Sequence, residues 1–521
     1  MVINDFIRKQ SVERPDTIAL VYNDLRLTYR RYDEATDRAA QGLLDLGVKR
    51  GDRVGIYVPN WPEFLYTYLG AVKIGAVAVP VSWRFTPNEL TFTLTDSEIS
   101  TLVLAPAFYG MDMAGNLETV RDSLPLLENV VIVADTSPGN RMIPYNDFAA
   151  DPTPALAETK TAVEPDDTAL FVYTSGTTGA PKATMLTHKN IIAYTNSEIA
   201  ATGFTGGDSI FLDIPLNHVG ASVMGVMSCI IAGARLVMVD MFDAEESLKI
   251  IQEEKISVMG QVPAQYALQL LNPNADGYDL SSIRKAIVSS QPCPTDLLKR
   301  IKERLGIYPT NAYGLTEATG AFTFTRPEDG VEKLTKTVGV PIEAVEVAIV
   351  DRDNNRLFPG EVGEIVVRGD TVMKGYYNRP EQNALAIDKD GWLHTGDMGS
   401  LDDDGYLTIS GRKKEMYIRG GENVYPPEVE EAIATHPKVF MSAVVGRPDP
   451  IMGEVGRAYV IPVPGTDLKP EEIIDFLQDK LANYKIPVDV IIRDELPTTP
   501  LGKVKKLDLI EEVAREFDQK S

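Results

Sequence analysis

The sequence predicts an α/β protein: a large N-terminal domain of mixed parallel α/β subdomains plus a β unit, then a small α+β C-terminal domain. Three observations carry this. Apolar, β-branched runs alternate with helix-patterned segments from Ile18 to Ser289, the signature of largely parallel sheets. Near Gly339 the texture changes to short strands separated by Asp, Asn and Gly. A cationic break, Gly411-Arg-Lys-Lys414, then precedes a stretch long enough for a domain of its own. The expected boundaries are 1–411 and 412–521, and a chain of 521 residues makes several domains the default.

The elements follow in order. Ile18–Tyr22 and Leu25–Thr28, joined by Asn23-Asp24, read as a hairpin, and a helix with Ala39, Leu43 and Leu44 on its apolar face follows. Asp52–Val58 is a strand, Trp61–Gly75 a helix, and Val77–Pro80, Leu102–Leu104 and Val130–Val133 are strands. Residues 135–166, rich in Pro, Ala, Asp and Thr, read as a surface connection. Asn190–Ala201 is a helix. Ser209–Asp213 and Ala234–Val239 are strands flanking an uncharged stretch, Ile214–Ala234, which reads as a buried core helix. Ala286–Ser289 is another strand. Glu346–Val350, Gly363–Arg368 and Leu407–Ser410 build the β unit, and Pro427–Ala434 and Pro470–Leu481 are helices of the last domain.

Composition excludes several classes. A formal net charge of −24 argues against a general nucleic-acid binder, which needs a basic face. Two cysteines, Cys229 and Cys293, allow no disulfide framework or zinc spacing, and a reducing cytoplasm is the simplest setting. The four histidines have no metal-ligand spacing. No signal peptide and no integral membrane segment are expected. The oligomeric state stays open, with a homodimer as one option.

The stretch that carries chemistry is Tyr173-Thr-Ser-Gly-Thr-Thr-Gly-Ala-Pro-Lys182, preceded by the apolar run Ala169–Tyr173. Glycines let backbone N–H groups approach an anion, the hydroxyls add donors, and Lys182 adds a full charge. This reads as a polyphosphate cradle after a strand, with a solvated Ser/Thr/Gly linker as the alternative for such a composition. It is not a Walker A loop, because Gly179 stands three residues before Lys182 with Pro181 between them.

Together with five downstream motifs in order, this loop resembles the adenylate-forming superfamily of acyl-CoA synthetases, luciferases and peptide-synthetase adenylation domains. The motifs are Pro215-Leu-Asn-His218, Asn311-Ala-Tyr-Gly-Leu-Thr-Glu317, His394-Thr-Gly-Asp397, Gly411-Arg-Lys-Lys-Glu415 and Pro497-Thr-Thr-Pro-Leu-Gly-Lys503. The resemblance implies a two-step ligase using ATP, Mg and CoA: a carboxylate attacks the α-phosphate of ATP, and a thiol then displaces AMP. It implies that Thr174, Ser175, Gly176, Thr177, Thr178, Gly179 and Lys182 hold the outer phosphates. Glu317 is the implied magnesium ligand, and Thr316 reaches the phosphates. Tyr313, beside Gly314, stacks on adenine, and Asn311 bonds its amino edge. Asp397, helped by Arg412, accepts the ribose hydroxyls. Lys503 bridges the attacking carboxylate and the α-phosphate. The implied catalytic residues are Lys503, Lys182, Glu317 and His218. Lys414 is the implied hinge by which a mobile C-terminal domain serves both half-reactions. Arg419, Gly420, Gly421 and Lys485 are the implied CoA contacts.

The implied acyl pocket includes His218, Val219, Ser222, Ser290 and Gln291. No Asp or Glu occurs between Leu216 and Ser228, so a substrate ammonium would lack a partner, which disfavours amino acids. Where relatives commonly read two glycines, this chain has Ser290 and Gln291. That suggests a compact pocket for a small-to-medium, alicyclic, aromatic or polar acid rather than a long-chain fatty acid. The alternative is a stand-alone adenylating enzyme that loads an acyl carrier protein.

Overall fold

Ala169–Tyr173 is an unbroken apolar run, and it forms the middle of a strand, Thr168–Thr174, whose core residues are almost wholly buried. The structure, a computed structural model, describes residues 1–136, 142–174, 181–290, 293–326, 328–498 and 504–518. The chain divides into two compact units, Met1–Val347 with Val367–Leu393, and Ala348–Val366 with His394–Ser521.

The first unit holds two large sheets. In one, Thr168–Thr174 joins the parallel strands Val77–Pro80, Arg53–Tyr57, Thr101–Leu104, Asn129–Ile132 and Ile143–Pro144. On its other side lies the antiparallel Lys182–Thr187, then Gly375–Tyr376 at the edge. Thr174 pairs directly with Lys182, so the two ends of the phosphate loop are cross-strand neighbours. The second sheet is parallel from Thr310–Leu315 through Lys285–Ser289, Val258–Gln261, Ser209–Leu212 and Arg235–Met238 to Ile18–Tyr22. Antiparallel strands close both ends: Leu25–Thr28 on one side, Gly320–Phe324 and Val340–Pro341 on the other.

Helices are placed by their caps and faces. His188–Thr202 starts at a reciprocal Thr187–Asn190 capping box and stops at Gly203, whose φ of 71° is the left-handed conformation favourable to glycine. Its Glu198 is 1% exposed and accepts a 2.6 Å hydrogen bond from the Ser228 hydroxyl. Burial pushes this carboxyl from 4.5 up to about 8, against the opposing pull of the hydrogen bond from Ser228. A folded pKa above the unfolded one means that folding holds the proton. The stability contribution is therefore full below the unfolded value and is lost as pH rises toward 8. Glu198→Gln is expected to flatten this dependence. Melting curves from about pH 5 to pH 8 should show the parent losing a few degrees that the variant keeps.

Two segments depart from the sequence expectation. The uncharged stretch does not become one helix; it forms a π-helical turn, Gly220–Gly225, and a short helix, Val226–Ala232. Pro215, Asn217 and three glycines interrupt the backbone ladder that a longer helix needs. Residues 135–166 are more than a surface connection. Beyond the undescribed 137–141 they add the strand Ile143–Pro144 and the helices Tyr145–Phe148 and Pro154–Thr161. Tyr145, Phe148 and Leu156 are buried there, with Phe148 so close to Gly42 that a Cβ would meet its carbonyl at 2.2 Å.

In the second unit, strands Leu393–Leu401 and Leu407–Arg412 pair antiparallel in a four-stranded sheet with Val345–Val350 and Gly363–Gly369. The C-terminal sheet is built on the long hairpin Val439–Asp449/Gly453–Pro462, with Asp489–Ile492 parallel to its second arm and the small hairpin Tyr417–Arg419/Glu422–Val424 alongside. Helices Pro426–Ala434 and Pro470–Gln478 pack Val429, Ile433, Ile473 and Leu477 into the core of this sheet. Among the described residues no helix is long and apolar enough to cross a membrane.

Candidate active site

Thr310–Leu315 ends in a tight 3-10 turn, Thr316–Ala318, which carries Glu317. The strand must pass its antiparallel neighbour unusually closely. A Cβ on Gly314 would lie 2.0 Å from the Gly320 carbonyl oxygen and 2.4 Å from the Ala321 Cα. The register shifts between Tyr313 and Gly314 at the same place. Glycine at 314 is thus a requirement of the strand pair.

Around Glu317 the structure gathers two of the expected residues, Thr174 and Lys182, and one that sequence reasoning missed, Tyr376. The Thr174 hydroxyl donates to Glu317 Oε1 at 3.3 Å, and the Tyr376 hydroxyl donates to the same oxygen at 2.9 Å. The Lys182 ammonium lies 4.9 Å from the centre of the Tyr376 ring. Both hydroxyls use Oε1, so Oε2 has no hydrogen-bond partner among the described residues. A carboxylate oxygen of that kind suits a hard cation that takes its other ligands from phosphate and water.

Asn311 is the second telling group. Its amide nitrogen donates to the carbonyls of Leu334 and, at 3.4 Å, Thr337. Carbonyls only accept, which fixes the amide orientation and leaves Oδ1 buried without a partner among the described residues. An orphaned buried acceptor fits an adenine amino group. Tyr313 packs edge-on against Phe322, ring centres 5.0 Å apart, and is half-buried. Thr316 shares the turn with Glu317.

His218 follows the Ser209–Leu212 strand and leads into the π-helical turn. Its side chain is reached by solvent although protein crowds it on most sides, as befits the wall of a concavity. That crowding, with the positive charge of Arg84, holds the imidazole below its usual pKa. Ser222 is fully buried and donates its hydroxyl to the His218 carbonyl at 3.0 Å, while Val219 is half-buried. Ser290 is exposed, with a φ of 72°. The left-handed backbone there is a reason for glycine at this position that is independent of pocket size.

In the second unit Asp397 is 6% exposed and pairs directly across the hairpin with Arg412, whose Nε lies 3.2 Å from Asp397 Oδ1. A buried glutamate that the sequence reading passed over, Glu364, organises this corner. It accepts from the Gly396 N–H at 3.3 Å, pairs with Lys413 at 2.7 Å and contacts His394 Nδ1 at 3.2 Å. Burial alone would raise its pKa, yet His394 and Lys413 bring it down to about 2. Its signal was a lone acid inside the apolar run Gly363-Glu-Ile-Val-Val. Lys414 is exposed two residues after the strand Leu407–Arg412.

The expected CoA contacts Arg419 and Lys485 share one corner. Arg419 Nη1 donates to the carbonyls of Asn483, Tyr484 and Ile486, the turn that bears Lys485, and Lys485 pairs with Glu428 at 2.5 Å. Gly420 and Gly421, both at positive φ, form the tip of the small hairpin, and the Cβ direction of Gly421 is open space. Ser175, Gly176, Thr177, Thr178, Gly179, Gln291 and Lys503 lie outside the described residues.

Residues 7–377 match the family model described as AMP-binding enzyme, and residues 428–503 match that of the AMP-binding enzyme C-terminal domain. The chain is 38% identical to a Mycobacterium tuberculosis protein, 3-[(3aS,4S,7aS)-7a-methyl-1,5-dioxo-octahydro-1H-inden-4-yl]propanoyl:CoA ligase, over 95% of this chain and 96% of that one. It is 34% identical to an indoleacetate–CoA ligase of Aromatoleum aromaticum over 99% of both. Among solved structures, that of the anthranilate CoA ligase AuaEII in complex with anthranoyl-AMP matches with a TM-score of 0.86 and 26% identity, covering 98% of this chain and 97% of that one.

Proposed function

From the premise that this chain belongs to the AMP-binding enzyme family, as an AMP-forming acid–thiol ligase, we propose the acid it takes and the residues that serve it. The acid is small-to-medium and alicyclic, aromatic or polar, rather than a long-chain fatty acid or an amino acid. The observation against an amino acid is the stretch Leu216–Ser228, which holds no Asp or Glu to pair an ammonium group, and the one against a long chain is Ser290-Gln291 in place of two glycines. The bicyclic propanoate, indoleacetate and anthranilate in the names of similar proteins point to the same size class.

In the first half-reaction a carboxylate oxygen bonds to the α-phosphorus of ATP while the bond to the β-phosphate oxygen breaks, releasing pyrophosphate. Two anions meet, so the protein must supply positive charge and fixed donors. Lys182 and the loop Thr174–Gly179 serve the outer phosphates, and Thr316 adds a hydroxyl. Glu317 would hold magnesium, whose chemistry there is to neutralise phosphate charge. Asn311 Oδ1 accepts from the adenine amino group, and Tyr313, beside Gly314, faces the base. Asp397, with Arg412, accepts the ribose hydroxyls, and Lys503 bridges carboxylate and α-phosphate. His218, neutral at neutral pH because its pKa is depressed, borders the acyl group with Val219, Ser222, Ser290 and Gln291 without adding charge. In the second half-reaction the CoA sulfur bonds to the acyl carbon and the bond to AMP breaks, the thiol proton leaving to solvent. Arg419, Gly420, Gly421 and Lys485 serve CoA, and Lys414 is the hinge. The two free thiols, Cys229 and Cys293, fit a reducing cytoplasm.

The test is AMP release with ATP, magnesium and a panel of acids, with and without CoA. The expected result is CoA-dependent AMP release that is greatest with one compact cyclic or polar acid. Greatest turnover with a long straight chain, or with an amino acid, overturns the substrate reading. Acid-dependent pyrophosphate exchange without CoA-dependent turnover points instead to carrier-protein loading.

A further inference from the structure

The side chain that touches both Lys182 and Glu317 is one the proposed mechanism does not use. Tyr376 stands on the edge strand Gly375–Tyr376, paired with Lys182–Thr187 at Thr184. It is held there by more than its sheet partner. The Asn383 side chain accepts from the Tyr376 N–H at 2.6 Å and donates to the Tyr376 carbonyl at 2.9 Å, locking both backbone groups. Gly375, at φ 137°, gives that amide its place; a Cβ there would lie 3.1 Å from it. The segment just before is tied to the same turn. The Met373 N–H donates to the Glu317 carbonyl at 2.8 Å, and Asn190 donates to the Asp370 and Val372 carbonyls at 2.8 and 2.9 Å. Residues 370–376 thus strap the Glu317 turn at its backbone and, through Tyr376, at its carboxylate.

We infer that Tyr376 is the positioning residue of the phosphate and cation site: its hydroxyl fixes the Glu317 carboxylate so that Oε2 stays available, and its ring seats the Lys182 ammonium. The phenol suits the task. Its hydroxyl has a proton to donate, and the 2.9 Å contact to Glu317 Oε1 uses it. A 2.9 Å bond to a carboxylate is charge-assisted and directional. The ring contact places a cation on an aromatic face without consuming any of its three N–H donors, which stay free to serve phosphate. The inference rests on the reading of Glu317 as the cation ligand and of Lys182 as the phosphate ligand.

Calorimetric titration of the full-length protein with ATP, with and without magnesium, and with AMP separates these roles. Tyr376→Phe keeps the ring and removes the hydroxyl. It should weaken magnesium-ATP binding about tenfold or more, the usual cost of losing an outer partner of a metal ligand, and leave AMP binding unchanged. Tyr376→Leu should also weaken ATP binding without magnesium, because Lys182 loses its seat. The double variant Tyr376→Phe with Glu317→Gln should bind magnesium-ATP no more weakly than Glu317→Gln alone. The inference is overturned if Tyr376→Phe binds magnesium-ATP like the parent, if AMP binding falls in parallel, or if the two substitutions add. Where Tyr376→Phe fails to fold, Asn383→Ala, which unlocks the backbone of Tyr376, carries the same expectations. If Glu317→Gln itself leaves magnesium-ATP binding intact, the reading of the site fails and takes the inference with it. If Glu317→Gln weakens binding and Tyr376→Phe does not, the inference alone fails.

Discussion

Asp397→Ala is expected to raise the ATP concentration needed for half-maximal pyrophosphate exchange by about 10²–10⁴-fold, because the proposed role of Asp397 gives it two charge-assisted hydrogen bonds from the ribose, lost together. Asp397 is nearly buried, and its backbone N–H is already committed to the Thr395 hydroxyl at 3.1 Å, so its position is set by the strand rather than by a ligand. The Thr395 hydroxyl in turn donates to the Ile365 carbonyl at 2.7 Å, and Gly396 is tied to Glu364. The acceptor is therefore presented ready-made, with little ordering left to do on binding. Removal should not unfold the protein, since the Arg412 side chain is 41% exposed and can hydrate when its partner goes. Asp397→Asn, which keeps the shape and one acceptor oxygen, should fall between parent and alanine variant. An alanine variant with the parental ATP requirement would remove Asp397 from the nucleotide site.

Gly314→Ala should destabilise the first unit by about 3 kcal/mol or more, in the upper range for single substitutions, because the atoms in the way are backbone and have no rotamer to escape into. The strands Thr310–Leu315 and Gly320–Phe324 would have to part, and Asn311, Tyr313 and Glu317 all ride on the first of them or on its turn. Activity and stability should fall together, read as a lower first transition in thermal melting and a loss of pyrophosphate exchange. Gly260→Ala is the matched control. It lies in the parallel part of the same sheet, has nothing within 4 Å of the Cβ direction, and should change neither appreciably.

What the sequence makes legible here depends on how local the physics is. Ala169–Tyr173 announces its strand because burial on both faces demands an unbroken apolar run. The break near Gly339 is legible because short exposed turns need Asp, Asn and Gly. Thr174 and Lys182 could be singled out because hydroxyls, glycines and a lysine after a strand suit phosphate, and Glu317, Asn311 and Asp397 because the motifs that hold them resemble those of the adenylate-forming superfamily. Tyr376 and Glu364 escaped because their meaning is set by partners far away in the chain. Tyr376 reaches Glu317 across 59 positions, and Glu364 is joined to Lys413 across 49. A tyrosine in Gly-Tyr-Tyr-Asn and a glutamate in an apolar strand look ordinary until the sheet is assembled. The π-helical turn escaped for a related reason. Ile214–Ala234 is uncharged enough for a helix, and only the placement of its proline and glycines breaks the period.

The two carbonyls that restrain the Asn311 amide have a consequence for which nucleoside triphosphate serves as energy donor. A freely rotating carboxamide is ambivalent, able to turn either its oxygen or its nitrogen toward a base. Leu334 and Thr337 remove that choice, so the residue presents oxygen alone. On the proposed assignment, a purine bearing its amine at C6 completes the pairing. Guanine and hypoxanthine carry a carbonyl at the same ring carbon and would set two lone pairs against each other in a dry pocket, a mismatch that costs more than a missing bond. On the proposed assignment of Asn311 to adenine, discrimination between nucleotides rests on the Leu334 carbonyl, in the Val331–Lys336 helix, and on the Thr337 carbonyl just after it.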